Sequence, residues 1–193
     1  MVLFPGRADP DALAPLIAAI ADLAPFRVMT TRSGGRLAAA MTSVGACGWV
    51  SDRRGYRYET LDPETGRAWP DMPLVFRRLA VETAAEAGFA DFAPDACLIN
   101  RYAVGAGMGL HQDRDEADLG QPVVSVSLGL PAVFLIGGAD RTMRAAPLPV
   151  RSGDVLVFGG PARLLFHGIR PVKAGLDPVF GPFRYNLTFR KAR

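Results

Sequence analysis

From residue 96 to the C-terminus, the chain is a succession of short apolar segments separated by turns that contain glycine. The segments are too short for ordinary helices, and they are rich in Val, Leu, Ile and Phe, which favour strands. Many short strands with frequent turns are typical of a β-sandwich or a β-barrel. We therefore predict strands over 97–103, 123–130, 132–136, 154–158, 164–169 and 183–190.

The N-terminal half has a different pattern. Asp9-Pro10 predicts the start of a helix, because an N-cap acceptor is followed by proline at the first helical position. Apolar residues continue at helical spacing over 11–23. A second amphipathic helix is predicted over 74–88, with Gly88 just past its end and four residues facing the core: Leu74, Val75, Leu79 and Ala84.

Between the two helices, residues 27–58 read as short strands and turns, and residues 59–73 as a loop. The predicted organisation is a single domain over 1–193. Residues 1–95 would form the helices and a β-rich segment that covers the core, and residues 96–193 would form the β core itself.

Composition limits the class of protein. A chain of 193 residues with 49% hydrophobic residues can bury a sizeable core. Cys47 and Cys97 are too few for a disulfide framework, so free thiols are expected. No run of apolar residues is long enough to cross a membrane, and acidic residues near the N-terminus argue against a signal peptide. A cytoplasmic location is therefore expected.

The chain has only two histidines, and both fall in a metal-binding pattern. His111 lies two residues before Asp113, a spacing that puts both side chains on one side of a strand. His167 would arrive from another strand. Two imidazoles and one carboxylate form the facial triad of non-haem Fe(II) oxygenases, which leaves metal positions open. An isolated His-x-Asp also occurs in surface loops, so this spacing alone leaves both interpretations open.

The segment 183–190 alternates aromatic or aliphatic residues with polar ones. The polar face of the predicted strand carries Arg184, Asn186, Thr188 and Arg190. An ordinary half-exposed strand would explain the alternation. The alternative is that the polar face lines a barrel, where two buried guanidinium groups require carboxylate partners. A dicarboxylate co-substrate would supply one carboxylate for each arginine.

Six motifs then occur in order: CLINRY (97–102), LHQDRDE (110–116), VVSVSLGLPAVF (123–134), GDVLVFGG (153–160), FHGI (166–169) and RYNLTFR (184–190). Together they resemble the AlkB family of Fe(II)/2-oxoglutarate dioxygenases, which are nucleic-acid dealkylases. The resemblance covers roughly 25–193 and is closest to the bacterial DNA-repair branch. It implies an α+β, mainly β fold: a double-stranded β-helix (jelly-roll) core with N-terminal helices and a β-rich nucleotide-recognition lid.

The resemblance also implies the cofactors and the residues that hold them. Fe(II) would be bound by His111, Asp113 and His167, with O2 and the co-substrate 2-oxoglutarate taking the open positions. Arg184 would hold the C-1 end of 2-oxoglutarate and Arg190 the C-5 carboxylate. Three further residues would support the co-substrate: Asn100, Tyr102 and Asn186.

For the substrate, the resemblance implies a methylated base in single-stranded DNA or a base flipped out of a duplex. Trp49 and His111 would stack on its two faces, and acidic side chains would favour a cationic lesion. The implied substrate-binding set is Trp49, Tyr56, Asp115, Glu116, Arg141, Met29 and Thr31. A core role for Trp49, an exposed strand around Tyr56 and a solvated acidic loop at Asp115 are the simpler alternatives.

Two positions depart from the family pattern. Gly35 stands where close relatives place an aromatic residue in the lid, and Phe158 stands where they often carry tryptophan. Fewer lid contacts would loosen base selectivity or favour single strands.

The resemblance predicts oxidative demethylation of 1-methyladenine and 3-methylcytosine in single-stranded and double-stranded DNA, with RNA as an alternative. The products would be formaldehyde, succinate and CO2, and no partner subunit is required, so a monomer is expected. One rival hypothesis is an Fe(II)/2-oxoglutarate hydroxylase or demethylase acting on tRNA or protein. The other is a non-catalytic nucleic-acid-binding module, which the intact triad and both arginines oppose.

Overall fold

The computed structural model describes all 193 residues. It contains two α-helices, α1 (Pro10–Leu23) and α2 (Leu74–Glu86), and one 3-10 turn over Gly160–Ala162. The twelve strands are β1 (Val2–Phe4), β2 (Ala40–Gly45), β3 (Gly48–Asp52), β4 (Gly55–Glu59), β5 (Ala96–Tyr102), β6 (Met108–His111), β7 (Val123–Gly129), β8 (Ala132–Ile136), β9 (Ala146–Val150), β10 (Val155–Phe158), β11 (His167–Ile169) and β12 (Arg184–Arg190).

The strands form two main antiparallel sheets and one separate hairpin. The six-stranded sheet has the order β1-β10-β7-β12-β5-β2, and the four-stranded sheet has the order β6-β11-β8-β9. Strands β3 and β4 form the hairpin. Two antiparallel sheets built from non-consecutive strands are the jelly-roll arrangement that the sequence predicts. The N-terminal half also contributes β1 and β2, which are the two edges of the larger sheet.

The central strand of the larger sheet, β12, shows how the sheet divides its two faces. Leu187 and Phe189 are fully buried on the outer face, where they join the largest apolar cluster with residues of both helices. The ring of Phe189 meets that of Phe76 from α2 edge-on, with 6.0 Å between centroids. The alternate residues of β12 project to the inner face, toward the four-stranded sheet. The helices therefore cover one face and leave the other for a cavity.

Local sequence signals set the ends of both helices. The side chain of Asp9 accepts hydrogen bonds from the backbone amides of Asp11 and Ala12, which caps α1 as predicted. Gly88 has a φ of +94°, which ends α2 in a left-handed conformation that favours glycine. The predicted inner face of α2 is partly wrong: Leu74 and Val75 are exposed, because they lie off the stripe of the helix that is buried. The buried residues of α2 are Phe76, Ala80, Thr83 and Ala84.

Two strand predictions near the histidines also need correction. Strand β6 ends at His111, so Asp113 lies in the following loop and not on the same strand. The predicted strand over 164–169 begins only at His167, after an irregular segment. His167 and His111 are nevertheless direct partners across the antiparallel pair of β11 and β6. Strand pairing, rather than spacing along one strand, brings the two histidines together.

Neither α-helix has the length and apolar character that a membrane crossing requires.

Candidate metal and co-substrate site

A cavity of about 590 Å³ opens between the two sheets. Its floor includes inner-face residues of the larger sheet, and its rim includes residues of the β3–β4 hairpin and of the loop after β6. Both histidines and Asp113 lie on its wall. The predicted metal ligands therefore share one cavity with polar residues of β12.

The three predicted metal ligands converge at one point. One potential ligand atom from each of His111, Asp113 and His167 lies within 4.8 Å of the others. His111 Nε2 is 3.8 Å from Asp113 Oδ1, and His167 Nε2 is 3.7 Å from Asp113 Oδ2. These separations allow one divalent ion to contact all three, and only three protein ligands are offered, as in an open catalytic site.

Hydrogen bonds to the backbone fix which nitrogen of each histidine faces this point. Nδ1 of His111 lies 2.9 Å from the carbonyl oxygen of Gly109, and Nδ1 of His167 lies 3.0 Å from that of Leu165. A carbonyl only accepts, so each Nδ1 carries the proton and each Nε2 presents a lone pair. Burial lowers the pKa of His167, which favours the neutral, metal-binding form. The donor set therefore fits a ferrous ion.

Asp113 is held ionised by its neighbours. Burial alone would raise the pKa of Asp113, but Arg190 and the two histidines hold that pKa well below its ordinary value. The Arg190 guanidinium donates from Nη2 to Asp113 Oδ2 over 2.9 Å and from Nε over 3.2 Å. Arg190 is thus the arginine that lies at the triad. Its contact orients the carboxylate that a metal ion would need.

Arg184 lies at the opposite end of β12 and is the largest fully buried side chain of the protein. Its Nη2 donates to Ser127 Oγ over 3.1 Å, while Nε and Nη1 have no hydrogen-bond partner. Burial lowers the pKa of Arg184 to about 10, and the side-chain partner of its guanidinium is a neutral hydroxyl, that of Ser127. The neighbouring Asn100 also has a buried carbonyl oxygen without a partner. Such unpaired buried groups are costly unless a ligand satisfies them.

The rest of the polar floor is already connected. Asn186 donates to Ser125 Oγ over 2.8 Å and accepts from Thr188 Oγ1 over 2.9 Å. Tyr102 is directly opposite Arg184 in the pairing of β5 with β12, and Tyr102, Asn100 and Asn186 all line the cavity. The prediction of an inward polar face on β12 is confirmed, and the alternative of a half-exposed strand is wrong, since Arg184, Thr188 and Arg190 are buried.

Known proteins are similar to this chain over most of its length. The model of the 2OG-Fe(II) oxygenase superfamily matches residues 1–190. The alpha-ketoglutarate-dependent dioxygenase AlkB of Salmonella typhimurium is 53% identical over 173 residues, which are 90% of this chain and 80% of that protein. The chain belongs to the AlkB family of 2OG-Fe(II) oxygenases.

Two further relatives of the AlkB family extend the comparison. The solved structure of OsALKBH1 superimposes with a TM-score of 0.82 at 32% identity and covers 98% of this chain and 95% of its own. The human nucleic acid dioxygenase ALKBH1 is 37% identical over 121 residues, 63% of this chain and 31% of that protein. The jelly-roll core and the oxygenase class that the sequence predicts are therefore confirmed.

The β3–β4 hairpin brings the predicted aromatic residues of this AlkB-family chain to the cavity rim. The rings of Trp49 and Tyr56 stack with centroids 5.3 Å apart, and both residues line the cavity. Trp49 Nε1 donates to Asp115 Oδ2 over 2.9 Å. Exposed Arg141 lines the same cavity. Trp49 is partly buried, packs against the apolar cluster that contains Met29 and also lines the cavity, so its role as a base-stacking residue stays a prediction.

Glu116, in contrast, lines the cavity as a buried residue with protein partners. It is 8% exposed, and its carboxylate accepts hydrogen bonds from Tyr58 and Arg163 and lies 3.2 Å from Arg190 Nε. Burial and the neighbouring acids raise the pKa of Tyr58, which keeps its hydroxyl as a donor to Glu116. Contact between Glu116 and the substrate therefore stays a prediction, for a carboxylate that already has partners within the protein.

Three other lid residues lie away from the predicted contacts. Met29 is 6% exposed and belongs to an apolar cluster, and Thr31 accepts from the Gly35 amide within a turn. Neither residue lines the cavity. Arg57 of β4 is paired with Asp52 and Glu59, so its guanidinium is occupied by protein partners.

Arg163 is a residue of the site that the sequence does not reveal. It is 3% exposed and follows the 3-10 turn, and it donates three hydrogen bonds toward the triad and its loop. Among 20 arginines in a chain with only two lysines, one arginine in an irregular segment carries no periodic signal. Only its burial could distinguish it, and burial outside regular strands does not follow from local pattern.

Proposed function

We propose that the protein is a DNA-repair dioxygenase that removes methyl groups from ring nitrogens of alkylated bases, such as 1-methyladenine and 3-methylcytosine. The single observation that carries this proposal is a cavity lined by a His-Asp-His triad, next to a buried arginine with two unpaired donors. That arginine, Arg184, lies behind the cavity lining, directly opposite Tyr102 in the pairing of β5 with β12, and Tyr102 lines the cavity. A metal alone would explain the triad, but only an anionic co-substrate explains Arg184. The relatives named AlkB and nucleic acid dioxygenase support a nucleic-acid substrate.

In this proposal, His111 Nε2, His167 Nε2 and a carboxylate oxygen of Asp113 hold Fe(II). When bound, the iron couples decarboxylation of 2-oxoglutarate by O2, which yields succinate and CO2, to hydroxylation of an N-methyl group. The hydroxymethyl product then releases formaldehyde and the unmodified base. The side chains of the protein supply position and charge, and no nucleophilic residue is needed.

The two arginines would hold opposite ends of 2-oxoglutarate, but in the reverse order from the sequence prediction. The C-1 end would lie at the triad, and Arg190 is the arginine in contact with the triad residue Asp113, so we assign the C-1 end to Arg190. Arg184 lies away from the triad with two unpaired donors, so we assign to it the C-5 carboxylate. Asn100, Tyr102 and Asn186 would surround the chain between the two ends.

The substrate base would enter at the rim, between the ring of Trp49 and the half-exposed imidazole of His111. Stacking on an aromatic ring contributes roughly 1–3 kcal/mol per base. Asp115 is exposed at the same rim, and its negative charge would favour a cationic methylated base over a neutral one. A base paired within a duplex cannot reach this depth, so the substrate is single-stranded or flipped.

We also propose a monomeric enzyme, because the triad and Arg184 of a single chain suffice for the proposed iron and co-substrate contacts. Cys47 and Cys97 are free and buried, in keeping with a reducing, cytoplasmic location.

The test is direct. The purified protein is incubated with Fe(II), ascorbate, 2-oxoglutarate and a single-stranded oligonucleotide that carries one 3-methylcytosine, and the mass of the oligonucleotide is followed. We expect a loss of mass equal to replacement of one methyl group by hydrogen, with dependence on both iron and 2-oxoglutarate. Succinate formation without any change in methylated DNA, RNA or tRNA would retain the oxygenase and refute the nucleic-acid substrate.

A further inference from the structure

Four charged side chains form one buried network beside the triad. Arg163, Arg190, Asp113 and Glu116 are between 3% and 9% exposed. Arg190 contacts both carboxylates, with 2.9 Å to Asp113 Oδ2 and 3.2 Å to Glu116 Oε1. Arg163 contacts Glu116 Oε2 over 2.9 Å. The network contains two positive and two negative charges, so its formal sum is zero.

Arg163 also donates hydrogen bonds to two backbone carbonyl oxygens of the loop between β6 and β7. Its Nη1 donates to the carbonyl oxygen of Asp113 over 2.6 Å, and its Nε donates to that of Gln121 over 2.9 Å. Asp113 and Gln121 lie in the loop between β6 and β7. One guanidinium therefore holds the main chain of a predicted metal ligand and the carboxylate of Glu116 at the same time.

Two buried carboxylates, those of Asp113 and Glu116, compete for the Arg190 guanidinium. In a cavity of low polarity, a buried carboxylate without a counter-charge is strongly unfavourable. If Arg163 did not neutralise Glu116, the Arg190 guanidinium would be the only cation left for Glu116, with Tyr58 as the remaining donor. Arg190 would then be drawn from Asp113 and from the co-substrate toward Glu116.

We propose that Arg163 is a positioning residue of the co-substrate site, which neutralises Glu116 and thereby keeps Arg190 available to Asp113 and to a co-substrate carboxylate. The inference rests on the proposed binding of 2-oxoglutarate in this cavity. Arg163 does not itself line the cavity. It acts through Glu116.

The test measures binding of 2-oxoglutarate by calorimetric titration into protein loaded with Mn(II), without O2, so that no turnover is needed. Arg163→Met should weaken 2-oxoglutarate binding by at least about tenfold, since Arg190 is diverted to the buried Glu116 carboxylate. Arg163→Met/Glu116→Gln removes one charge of each sign, so binding should return to within about threefold of the wild type, a coupling that independent sites do not show.

Arg27→Met is the matched control, because Arg27 is a partly buried arginine whose carboxylate partner, Asp62, lies away from the cavity. It should bind 2-oxoglutarate like the wild type despite its lost ion pair. Unchanged binding in Arg163→Met would overturn the proposal. A double variant as weak as the single one would also overturn it, because the backbone contact alone would then carry the effect.

If Arg163→Met does not fold, Glu116→Gln alone decides. The proposal predicts binding equal to or tighter than wild type in this variant, since Arg190 loses its competitor, and a tenfold weakening would refute it. Wild-type protein that binds 2-oxoglutarate but fails to demethylate oligonucleotides would refute the proposed substrate and leave this inference standing. Wild-type protein that does not bind 2-oxoglutarate would refute both.

Discussion

The two faces of strand β12 are both largely buried, but they differ in whether their buried atoms have partners within the protein. On the outer face, Leu187 and Phe189 contact only apolar neighbours beneath the helices. On the inner face, Arg184 is as deeply buried, yet two of its donors have no partner. Burial alone therefore does not distinguish a core from a site. The distinction is whether the buried atoms are satisfied by the protein itself.

The energetic roles of the two faces differ in the same way. Each large apolar side chain on the outer face contributes about 1.5–3 kcal/mol by leaving water. The inner face carries a cost at Arg184, because this desolvated cation is unfavourable until a carboxylate joins it, whereas Arg190 is already paired with Asp113 and Glu116. The outer face thus stabilises a sheet whose inner face is prepared for charged ligands. Substitutions on the two faces should therefore differ in their effects on stability and on ligand binding.

Asp113→Ala is the most severe change to a partner of the inner face. It removes a proposed metal ligand and the partner of Arg190. We expect demethylation to fall by more than about 100-fold, because loss of a mere outer partner of a metal ligand already costs 10–100-fold. Circular dichroism should show the fold retained. Full activity in this variant would refute the triad.

Phe189→Ala is the corresponding change to the outer face. It leaves a cavity beside Phe76 and should lower the free energy of unfolding by about 3–5 kcal/mol, measured by denaturant titration. Protein that is still folded should bind 2-oxoglutarate normally. Phe183→Ala, at a half-buried ring next to the same strand, is the control and should cost much less. If binding falls in proportion to stability, the two faces are not separable.

Arg184→Met should weaken 2-oxoglutarate binding without lowering the stability of the ligand-free protein. Loss of charge-assisted hydrogen bonds worth about 1.5–3 kcal/mol each should weaken 2-oxoglutarate binding by one to two orders of magnitude. The ligand-free variant should be as stable as the wild type or more stable, since an unpaired buried cation is removed. A large loss of stability would show that Arg184 is satisfied within the protein.

The stability gained by Arg184→Met should also depend on pH. The pKa of Arg184 is lowered by burial to about 10, so the folded state releases this proton more readily than the unfolded state. The cost of the cation is present in full below pH 10 and declines as the pH rises through that value. The stability gained by Arg184→Met should therefore shrink above pH 10.

Trp49→Ala gives the smallest expected effect, because it touches the rim and neither face of β12. Methylated oligonucleotide should bind about tenfold more weakly, in line with the loss of one stacked base contact. Decay of 2-oxoglutarate in the absence of substrate should stay the same. Equal losses in both measurements would indicate a structural tryptophan, as expected for Trp69, which is 4% exposed and donates to the Glu59 carbonyl.

The alternation of β12 could be predicted from the sequence because strand periodicity is a local property. The choice between an exposed and an inward polar face could not, since it depends on which sheet lies opposite. Asp115 and Glu116 illustrate the same limit. Adjacent acids in one loop look alike in sequence, but one is exposed at the rim and the other is buried against Arg163.

The meeting of His111 with Asp113 was predicted for a mistaken reason. The His-x-Asp spacing suggested one strand, whereas β6 ends at His111 and Asp113 lies in the loop that follows. The arrival of His167 from another strand was predicted correctly, and the pairing of β11 with β6 provides it. The exposed Leu74 and Val75 of α2 show a related error, because helical periodicity alone does not tell which stripe of a helix packs against the rest of the protein. Long-range placement was the missing information in both cases.

The central claim is that the inner face of β12 is a site prepared for a metal-bound dicarboxylate. It is tested most directly by a crystal structure of the anaerobic protein with Mn(II) and 2-oxoglutarate. The account predicts the metal on His111, Asp113 and His167, and the C-5 carboxylate within hydrogen-bonding distance of Arg184 Nε and Nη1. A co-substrate bound with both unpaired donors of Arg184 still unsatisfied would contradict it.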